Sequence, residues 1–296
     1  MEKPALAVIG AGKVGSALAI LLQKKGYPVA GVASRTFSSA EKLAKVLNCP
    51  AYERPWELTR RVGLILITVP DREIARTAKK IAAEGGFGPG QVVAHTSGAH
   101  AAAELQGVRE AGALAVCIHP LQSFAEVEGA MKNLPGSYFA LEGDEKALPL
   151  ARQVVDDLEG KAFILDARDK PLYHAAACIA SNYLVSLMHF ATGLYRHFGL
   201  SREEAFRALF PLVQGTIQNV SRVGPVQALT GPVSRGDAPT VADHLPALKA
   251  VGEEELNLYR VLGLYTVRVA LEKGSIDDRQ AAQLKEVFNE GSKAIS

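Results

Sequence analysis

The sequence contains only three cysteines among its 296 residues, at the widely separated positions Cys49, Cys117 and Cys178. Zinc sites and disulfide frameworks need cysteines in close or regularly spaced sets. These three form no such set, so we predict no metal centre and no disulfide framework. This usage is typical of proteins in a reducing cytosol, and we expect a cytoplasmic location.

An excess of charge of one sign is also lacking. Lys and Arg number 33 against 31 for Asp and Glu, which gives a formal net charge of +2. Binding to nucleic acids or membrane surfaces usually depends on clustered positive charge, so we predict neither partner. Hydrophobic residues make up 48% and charged residues 22% of the chain, which is typical of a globular protein and argues against disorder or a fibrous repeat.

The beginning of the chain lacks the pattern of a secretory signal peptide. One uncharged segment, residues 171–195, has the length of a membrane span. It contains His174, Asn182 and His189, and such side chains are costly in the middle of a bilayer. We therefore expect a helix that is covered within the folded chain or in a dimer, and no membrane partner.

The first half of the chain alternates between short apolar runs and helical patterns. The apolar runs typical of buried strands lie at residues 5–9, 29–33, 62–69, 92–94, 114–118, 138–141 and 162–165. Alternation of this kind predicts an α/β fold with a mostly parallel sheet and helices on both faces.

After about residue 166 the sequence has only helical patterns. The predicted helices span residues 170–198, 202–220, 241–250, 253–273 and 277–290. Glycine and proline residues separate them. We therefore predict two domains, an α/β domain at residues 1–166 and an all-helical domain at residues 167–296.

A glycine-rich turn joins the first predicted strand to the first predicted helix. Its sequence is Gly10-Ala11-Gly12-Lys13-Val14-Gly15. In this context a G-x-G-x-x-G turn is typical of a dinucleotide site. The first glycine permits the tight turn, and the second lets the backbone approach the phosphates. The third glycine lets the helix pack closely against the strand. The helix N-terminus adds unpaired N–H groups and a partial positive charge. The alternative is a glycine turn that binds nothing.

The end of the second predicted strand indicates which dinucleotide is bound. A carboxylate at this point would hold the ribose hydroxyl of NAD, but the sequence has Ser34-Arg35-Thr36 and no acidic residue. A guanidinium suits a 2′-phosphate, and the two hydroxyls add hydrogen bonds. We therefore favour NADP, with NAD possible; the alternative is that Arg35 is only a solvated surface charge.

Polar residues follow the later strands at the edge of the sheet where α/β proteins bind ligands. Val69 and Pro70 end one strand, His95 and Ser97 lie at the end of the next, and His119 lies at the end of the one after. We predict that Val69, Pro70 and His95 contact the cofactor, and that these ends form a polar pocket for the nicotinamide. For each histidine taken alone, the alternative to a role in the pocket is a purely structural role.

The long uncharged helix adds a second polar wall. Lys170, His174, Cys178 and Asn182 are spaced four apart and so share one helical face. Buried polar groups need partners, so this face is either a satisfied core network at a dimer contact or a face on which His174 and Asn182 meet the substrate.

A glycine- and proline-containing loop lies between two predicted helices, with the sequence LTGPVSRGD at residues 229–237. Arg235 has two interpretations here. It either clamps a carboxylate of the substrate or pairs with Asp237 as part of a structural turn.

The motifs VIGAGKVGSAL, ASRT, HTSGA, HPLQSF, YHAAACIASNYLV and LTGPVSRGD resemble those of a bacterial group of Rossmann-like oxidoreductases with a C-terminal helical domain of unknown function. That group is similar to the superfamily of 6-phosphogluconate dehydrogenase, β-hydroxyacid dehydrogenases, ketopantoate reductase and pyrroline-5-carboxylate reductase. The resemblance implies an N-terminal Rossmann domain, NAD(P) binding, a helical homodimer and a substrate cleft. It names no substrate.

The resemblance has one departure. The β-hydroxyacid dehydrogenases carry a catalytic lysine one helical turn before an asparagine, and here the residue one turn before Asn182 is Cys178. The lysine mechanism therefore does not carry over. Histidine exchanges protons near neutral pH, which favours His174, two turns before Asn182, as proton donor or substrate anchor.

Together these features predict an NAD(P)-dependent oxidoreductase that moves a hydride to or from a C=O or C=N carbon of a small, carboxylate-bearing substrate. The expected catalytic residues are His174 or His119 as acid/base, with Asn182 and Ser97 as hydrogen-bonding partners of the substrate. Two alternatives remain: a dinucleotide-binding sensor or regulatory protein without turnover, and a dehydrogenase of the prephenate or arogenate kind.

Overall fold

A computed structural model describes residues 3–290 of the chain. The first part forms one eight-stranded sheet in the order β3-β2-β1-β4-β5-β6-β7-β8. All neighbouring strands run parallel except β6 and β7, which are antiparallel. The strands are β1 Leu6–Ile9, β2 Val29–Ala33, β3 Ala51–Tyr52, β4 Leu64–Ile67, β5 Val92–His95, β6 Leu114–Pro120, β7 Tyr138–Gly143 and β8 Lys161–Ile164. The predicted α/β class is confirmed.

Helices cover the sheet on both faces because the central strands are apolar on both sides. Alternate residues of a strand point to opposite faces. Leu6 and Val8 of β1 accordingly belong to one apolar cluster, whereas Ala7 and Ile9 belong to another. The helices of this part are α1 Lys13–Lys24, α2 Phe37–Leu47, α3 Pro55–Thr59, α4 Ile74–Ala83, α5 Val127–Asn133 and α6 Leu148–Asp157.

Within the described residues, no strand follows Ile164. The remaining helices are α7 Lys170–Cys178, α8 Leu184–Leu194, α9 Arg202–Gln227, α10 Ala238–Val251, α11 Glu253–Lys273 and α12 Asp278–Asn289, with one π-helical turn at Ile179–Tyr183 between α7 and α8. The helix predicted to end at residue 220 continues to Gln227, with a kink at Gly224, where φ is 81°. The prediction that this part is helical is confirmed.

The chain forms two compact units that divide between Asn182 and Tyr183. The predicted domain boundary at residue 166 lies earlier, where the strands end. The first unit extends beyond the last strand because α7 contacts the sheet: Lys170, at its first position, is 1% exposed. In the second unit Val241, Val267 and Phe288 are central members of an apolar core.

The uncharged segment of the sequence lies in the continuous helical stretch Ala167–Phe198. Within the part of the chain that is described, this is the one helix long and apolar enough to cross a membrane by length and composition. Only 6% of its most apolar window is buried in the single chain. Of the two expected kinds of cover, the folded chain supplies little, and cover by a second copy stays a prediction.

Candidate active site

The backbone of the glycine turn between β1 and α1 packs directly against the backbone at the end of β4. Gly10 has a φ of 114°, and a Cβ there would stand 2.7 Å from the carbonyl oxygen of Thr68. A Cβ on Gly15 would clash with the Gly10 carbonyl and the Thr68 hydroxyl. That hydroxyl donates a hydrogen bond to the Gly10 carbonyl at 2.7 Å. Side chains are thus excluded at both glycines by the packing of the turn against the end of β4.

Gly12 is different, because a Cβ there would meet no atom within 4 Å. It is the N-cap of α1, where no side chain caps the helix and the first turn holds no acidic residue. The first N–H groups of a helix need partners from outside it, and the helix dipole favours an anion there. This N-terminus, open above Gly12, fits the pyrophosphate of a dinucleotide.

A cavity of about 460 Å³ lies beside this turn. That volume is in the range of ligand sites in proteins. Eight residues predicted to contact the cofactor line it: Gly10, Ala11, Gly12, Ser34, Arg35, Thr36, Val69 and Pro70. The others, Lys13, Val14, Gly15 and His95, do not line the cavity, and their predicted cofactor contacts stay predictions.

Helix α4 brings two further cations to the cavity, Arg76 and Lys80. Arg76 is exposed and lies 3.6 Å from Glu73, and the Lys80 ammonium lies 5.3 Å from the centre of the Trp56 ring. Neither residue was selected from the sequence. Its position beside Arg35 depends on how β2 and β4 flank β1 in the sheet, which the sequence pattern does not reveal.

His95, at the end of β5, is fully buried. Its Nδ1 accepts a hydrogen bond from the Ser97 N–H at 3.1 Å. Burial, with the Lys170 charge as a second cause, lowers the pKa of His95 to about 3, so the imidazole is neutral at neutral pH. Ser97 is 4% exposed, and its hydroxyl oxygen accepts hydrogen bonds from the N–H groups of Ala99 and His100. Both side chains thus order the turn that follows β5.

A buried lysine lies beneath this turn. The Lys170 ammonium donates to the Ser97 carbonyl at 3.3 Å and to the Cys117 sulfur at 3.1 Å. Burial raises the pKa of the Cys117 thiol to about 11, although Lys170 partly opposes this. Lys170 therefore joins the start of α7 to the ends of β5 and β6.

His119, at the end of β6, forms a hydrogen bond with a residue that the sequence analysis did not select. Its Nδ1 lies 2.7 Å from the Tyr173 hydroxyl. Burial, followed by the charges of Lys170 and His174, lowers the pKa of His119 to about 4. Burial also raises the pKa of Tyr173 to about 12. The only sequence signal for Tyr173 is its position directly before His174.

His174 on α7 lies next to His119, with ring centres 6.3 Å apart. Its Nε2 is 3.6 Å from the Cys178 sulfur, and its Nδ1 is buried with no hydrogen-bond partner among residues 3–290. Both rings border Gly98, where a Cβ would stand 2.7 Å from His174 Nδ1 and 2.8 Å from His119 Nε2. The structure thus brings two of the predicted catalytic residues together.

Asn182 lies in the π-helical turn, after His174 and Cys178. A π turn holds one more residue than an α turn, and each added residue rotates the following side chains by about 100°. Asn182 therefore does not continue the helical face that was expected from the constant spacing of four residues. Asn182 is exposed. Its predicted contact with the substrate stays a prediction.

The loop at residues 229–237 caps a helix. The Asp237 carboxylate accepts from the N–H and the hydroxyl of Thr240 at the start of α10. These bonds are the main causes that lower the pKa of Asp237, and Arg235 contributes less. Across residues 3–290, no ion pair within 4 Å links Arg235 to Asp237, and Arg235 is exposed. The direct-pair interpretation is therefore wrong, whereas the carboxylate clamp stays a prediction.

Two family models match the chain in sequence. A Rossmann-like domain matches residues 2–120, and a domain of unknown function, DUF2520, matches residues 137–266. The order of these two matches, a Rossmann-like domain followed by a domain of unknown function, is the domain combination that the motifs predicted. No curated protein matches it.

Solved structures share the fold of this chain. They include the proposed NADP oxidoreductase BF3122 from Bacteroides fragilis, with a TM-score of 0.72, 22% identity, and coverage of 88% of this chain and 96% of that one. Protein TM1727 from Thermotoga maritima has a TM-score of 0.65 and 26% identity, covering 96% and 98%. The 1-pyrroline-5-carboxylate reductase from Streptococcus pyogenes has a TM-score of 0.60 and 16% identity, covering 96% and 99%. These likenesses show that the chain has the same fold as these proteins.

Proposed function

We propose that this protein is an NADP-preferring oxidoreductase that moves a hydride to or from a C=O or C=N carbon of a small, carboxylate-bearing molecule. One observation carries the proposal. The uncapped N-terminus of α1, open above Gly12, borders a cavity at the same sheet edge as two adjacent histidines, His119 and His174.

The residues around the cavity have distinct tasks in binding the cofactor. The first N–H groups of α1 hold the pyrophosphate. Arg35, with the hydroxyls of Ser34 and Thr36, holds the 2′-phosphate, and Val69 and Pro70 form the facing wall. The bound nicotinamide supplies or accepts the hydride. The likeness in fold to BF3122 agrees with this proposal.

The strand ends β5 and β6 and helix α7 provide the proton chemistry. His119 is neutral at neutral pH, because burial and Lys170 lower its pKa to about 4. It is therefore suited to hydrogen bonding, and we assign to His174 the role of proton donor or substrate anchor. Ser97 and Asn182 complete the proposed contacts with the substrate. The structural neighbour from Streptococcus pyogenes is named for 1-pyrroline-5-carboxylate. This compound is a carboxylate with a C=N bond, a chemistry that the proposal includes.

The proposal is tested with purified protein, NADPH, and a panel of keto acids and cyclic imines. We expect loss of NADPH absorbance with at least one of them, and a large loss of rate in His174→Ala. Calorimetry tests the cofactor separately. Protein that is folded but binds neither NADPH nor NADH would contradict the proposal, whatever the substrate panel shows.

A sensor without turnover is a second candidate, and the observation that favours it is Cys178. This residue stands one turn before Asn182, where the β-hydroxyacid dehydrogenases have a catalytic lysine. A sensor predicts tight NADP(H) binding, no turnover with any of the panel, and binding that is unchanged in His174→Ala. Turnover that depends on His174 would exclude it.

We also propose that the protein is a homodimer formed through its helical part. Exposed apolar side chains lie on three helices of the second unit: Val185 on α8, Phe206, Phe210 and Leu212 on α9, and Val261 and Tyr265 on α11. Exposed apolar area of this extent is unusual in a monomer and typical of an interface. The solution mass measured by light scattering tests this proposal.

A further inference from the structure

One side of α4 borders the cavity beside the glycine turn. The residues that line the cavity from this helix and its N-cap position follow one another at spacings of one, three or four: Glu73, Arg76, Thr77 and Lys80. Residues spaced in this way share one side of an α-helix. Ile74, Ala78 and Ile81 of the same helix are buried in the apolar cluster of the sheet. The packing of α4 therefore fixes which of its polar residues border the cavity.

The charged groups around the cavity differ in whether they are paired. Glu73 lies 3.6 Å from Arg76, so these two charges offset each other. Lys80 and Arg35 form no ion pair within 4 Å among residues 3–290. With Glu53 as a further carboxylate, the lining holds three cations and two carboxylates. The cavity thus has an excess of positive charge, with unpaired cations on two different elements, α4 and the end of β2.

The Lys80 ammonium has a neighbour that restricts it. It lies 5.3 Å from the centre of the Trp56 ring, within the range of a cation–π contact. Trp56 is partly buried and packs against the apolar cluster that α3 and α4 share. Pro55, the residue before it, lines the cavity. Because the lysine side chain is already restricted, it loses less conformational entropy when it binds an anion.

The end of β2 presents further anion-binding groups to the same cavity. Thr36 is the N-cap of α2, where no side chain caps the helix and the first turn holds no acidic residue. Thr36 and Ser39 line the cavity together with Arg35. The first N–H groups of a helix favour a phosphate. A phosphate held at this point lies in a cavity that Lys80 borders from α4.

We propose that Lys80 is a specificity-determining residue, which binds the 2′-phosphate of NADP(H) from α4 while Arg35 binds it from the end of β2. This inference rests on the proposed function and names the part of the cofactor that α4 recognises. A phosphate group of this kind carries about two negative charges and three acceptor oxygens, so it can accept hydrogen bonds from both cations. NAD(H) has a neutral hydroxyl instead. Lys80 therefore separates the two cofactors rather than strengthening the binding of both.

Two small nucleotides test this role without any substrate or turnover. Adenosine 2′,5′-bisphosphate and adenosine 5′-monophosphate differ only in the 2′-phosphate. In calorimetry at low salt, which limits the screening of exposed charges, we expect wild-type protein to prefer the bisphosphate. Lys80→Met should weaken binding of the bisphosphate about fivefold and that of the monophosphate by less than about twofold. Lys80→Arg keeps the charge and should retain most of the preference.

Lys79 offers a matched control. It is also an exposed lysine of α4, but it does not line the cavity. Lys79→Met removes the same net charge and should leave both affinities unchanged. The same loss of bisphosphate binding in Lys79→Met would show a general effect of charge and would overturn the proposal. Equal losses for both nucleotides in Lys80→Met would also overturn it, because Lys80 would then act on the part that they share.

A double variant tests whether the two cations bind the same phosphate. In Arg35→Ala combined with Lys80→Met we expect the bisphosphate to bind no more than about twofold tighter than the monophosphate. If the double variant binds the bisphosphate as tightly as Arg35→Ala alone, Lys80 contributes nothing and the proposal is wrong.

Titration with the complete cofactors distinguishes this proposal from the proposed function. Folded wild-type protein that binds neither NADPH nor NADH contradicts the proposed function. Normal binding of NADPH, with the same preference over NADH in wild-type protein and in Lys80→Met, contradicts the role of Lys80 alone. A reduced preference in Lys80→Met, with the affinity for NADH unchanged, is the result we expect.

Discussion

Arg35 is the residue on which the proposed preference for NADP depends. Arg35 is exposed beside the hydroxyls of Ser34 and Thr36. A 2′-phosphate brings negative charge and three acceptor oxygens, which a guanidinium binds with paired hydrogen bonds. A ribose hydroxyl gains little from the same group. Arg35 is therefore the position at which affinities for NADPH and NADH should separate.

Replacing Arg35 with alanine tests this separation. We expect Arg35→Ala to weaken NADPH binding about tenfold, which corresponds to about 1.4 kcal/mol for a charged hydrogen-bonded contact. NADH binding should change by less than about twofold, since it lacks the phosphate. Calorimetry with both nucleotides measures the two effects. Arg152→Ala, an exposed arginine on α6 outside the cavity, serves as control, and equal losses for both nucleotides would contradict the prediction.

Two buried histidines make stability depend on pH. The pKa is lowered from 6.5 to about 3 for His95 and to about 4 for His119, mainly by burial. Below pH 6.5 the unfolded chain therefore binds protons at these positions before the folded chain does. The free energy of unfolding should decrease as the pH falls, by at most about 1.4 kcal/mol per pH unit and histidine. This contribution is fully present above pH 6.5.

Urea unfolding between pH 7 and pH 5 measures that decrease. Other groups also titrate in this range, so the comparison with His119→Gln isolates one histidine. We expect a shallower dependence on pH in the variant, because glutamine does not titrate. Parallel curves for the two proteins would show that His119 contributes nothing to the pH dependence.

At the scale of elements, α7 completes the candidate site. Its first residue, Lys170, contacts β5 and β6, and the next turn places Tyr173 and His174 beside His119. The positive charge of Lys170 is the second cause that lowers the pKa of His119. The docking of one helix thus sets both the geometry and the charge state of the strand ends.

Removal of the Lys170 charge should move the pKa of His119 upward, toward its ordinary value. Lys170→Met keeps much of the length of the buried side chain without the charge, and Lys170→Arg keeps the charge. Histidine titration by nuclear magnetic resonance should show the upward shift in the methionine variant only. The same titration curve in wild-type protein and Lys170→Met would contradict this role.

The elements differ in how well a sequence pattern predicts them. Strands such as β1 and β4 are predictable because an apolar run buried on both faces leaves few alternatives. The position of Asn182 is not, because helical spacing assumes α-helical turns throughout and a π turn breaks that assumption. The contact between Tyr173 and His119 is also outside local patterns, since it depends on where α7 packs against the sheet. The residues that line the cavity beside the glycine turn were therefore easier to predict than the contacts of α7 with the strand ends.

At the scale of the whole molecule, the second unit carries apolar surface that the single chain leaves uncovered. Leu212 on α9 is 68% exposed and Val261 on α11 is 60% exposed. Burying such side chains stabilises an interface by roughly 1.5–3 kcal/mol each. These helices are therefore the surface on which the proposed homodimer depends.

Charged substitutions test that surface. We expect Leu212→Glu together with Val261→Glu to weaken the dimer by more than about tenfold, because an unpaired carboxylate would be buried at the interface. Light scattering over a range of protein concentrations measures the change in mass. Val46→Glu, at an equally exposed apolar position on α2, is the matched control and should leave the mass unchanged. A double variant with unaltered mass would contradict the interface.

The helix Ala167–Phe198, with only 6% of its most apolar window buried, has a consequence for how the protein must be made and handled. In the proposed homodimer a second copy would cover this apolar surface, so a newly synthesised chain would expose it until it met that copy. When the protein is scarce, two copies would meet slowly, which would favour aggregation or binding by chaperones. Yield should consequently improve when synthesis is gentle and chaperones are abundant, and purified material should deteriorate on strong dilution.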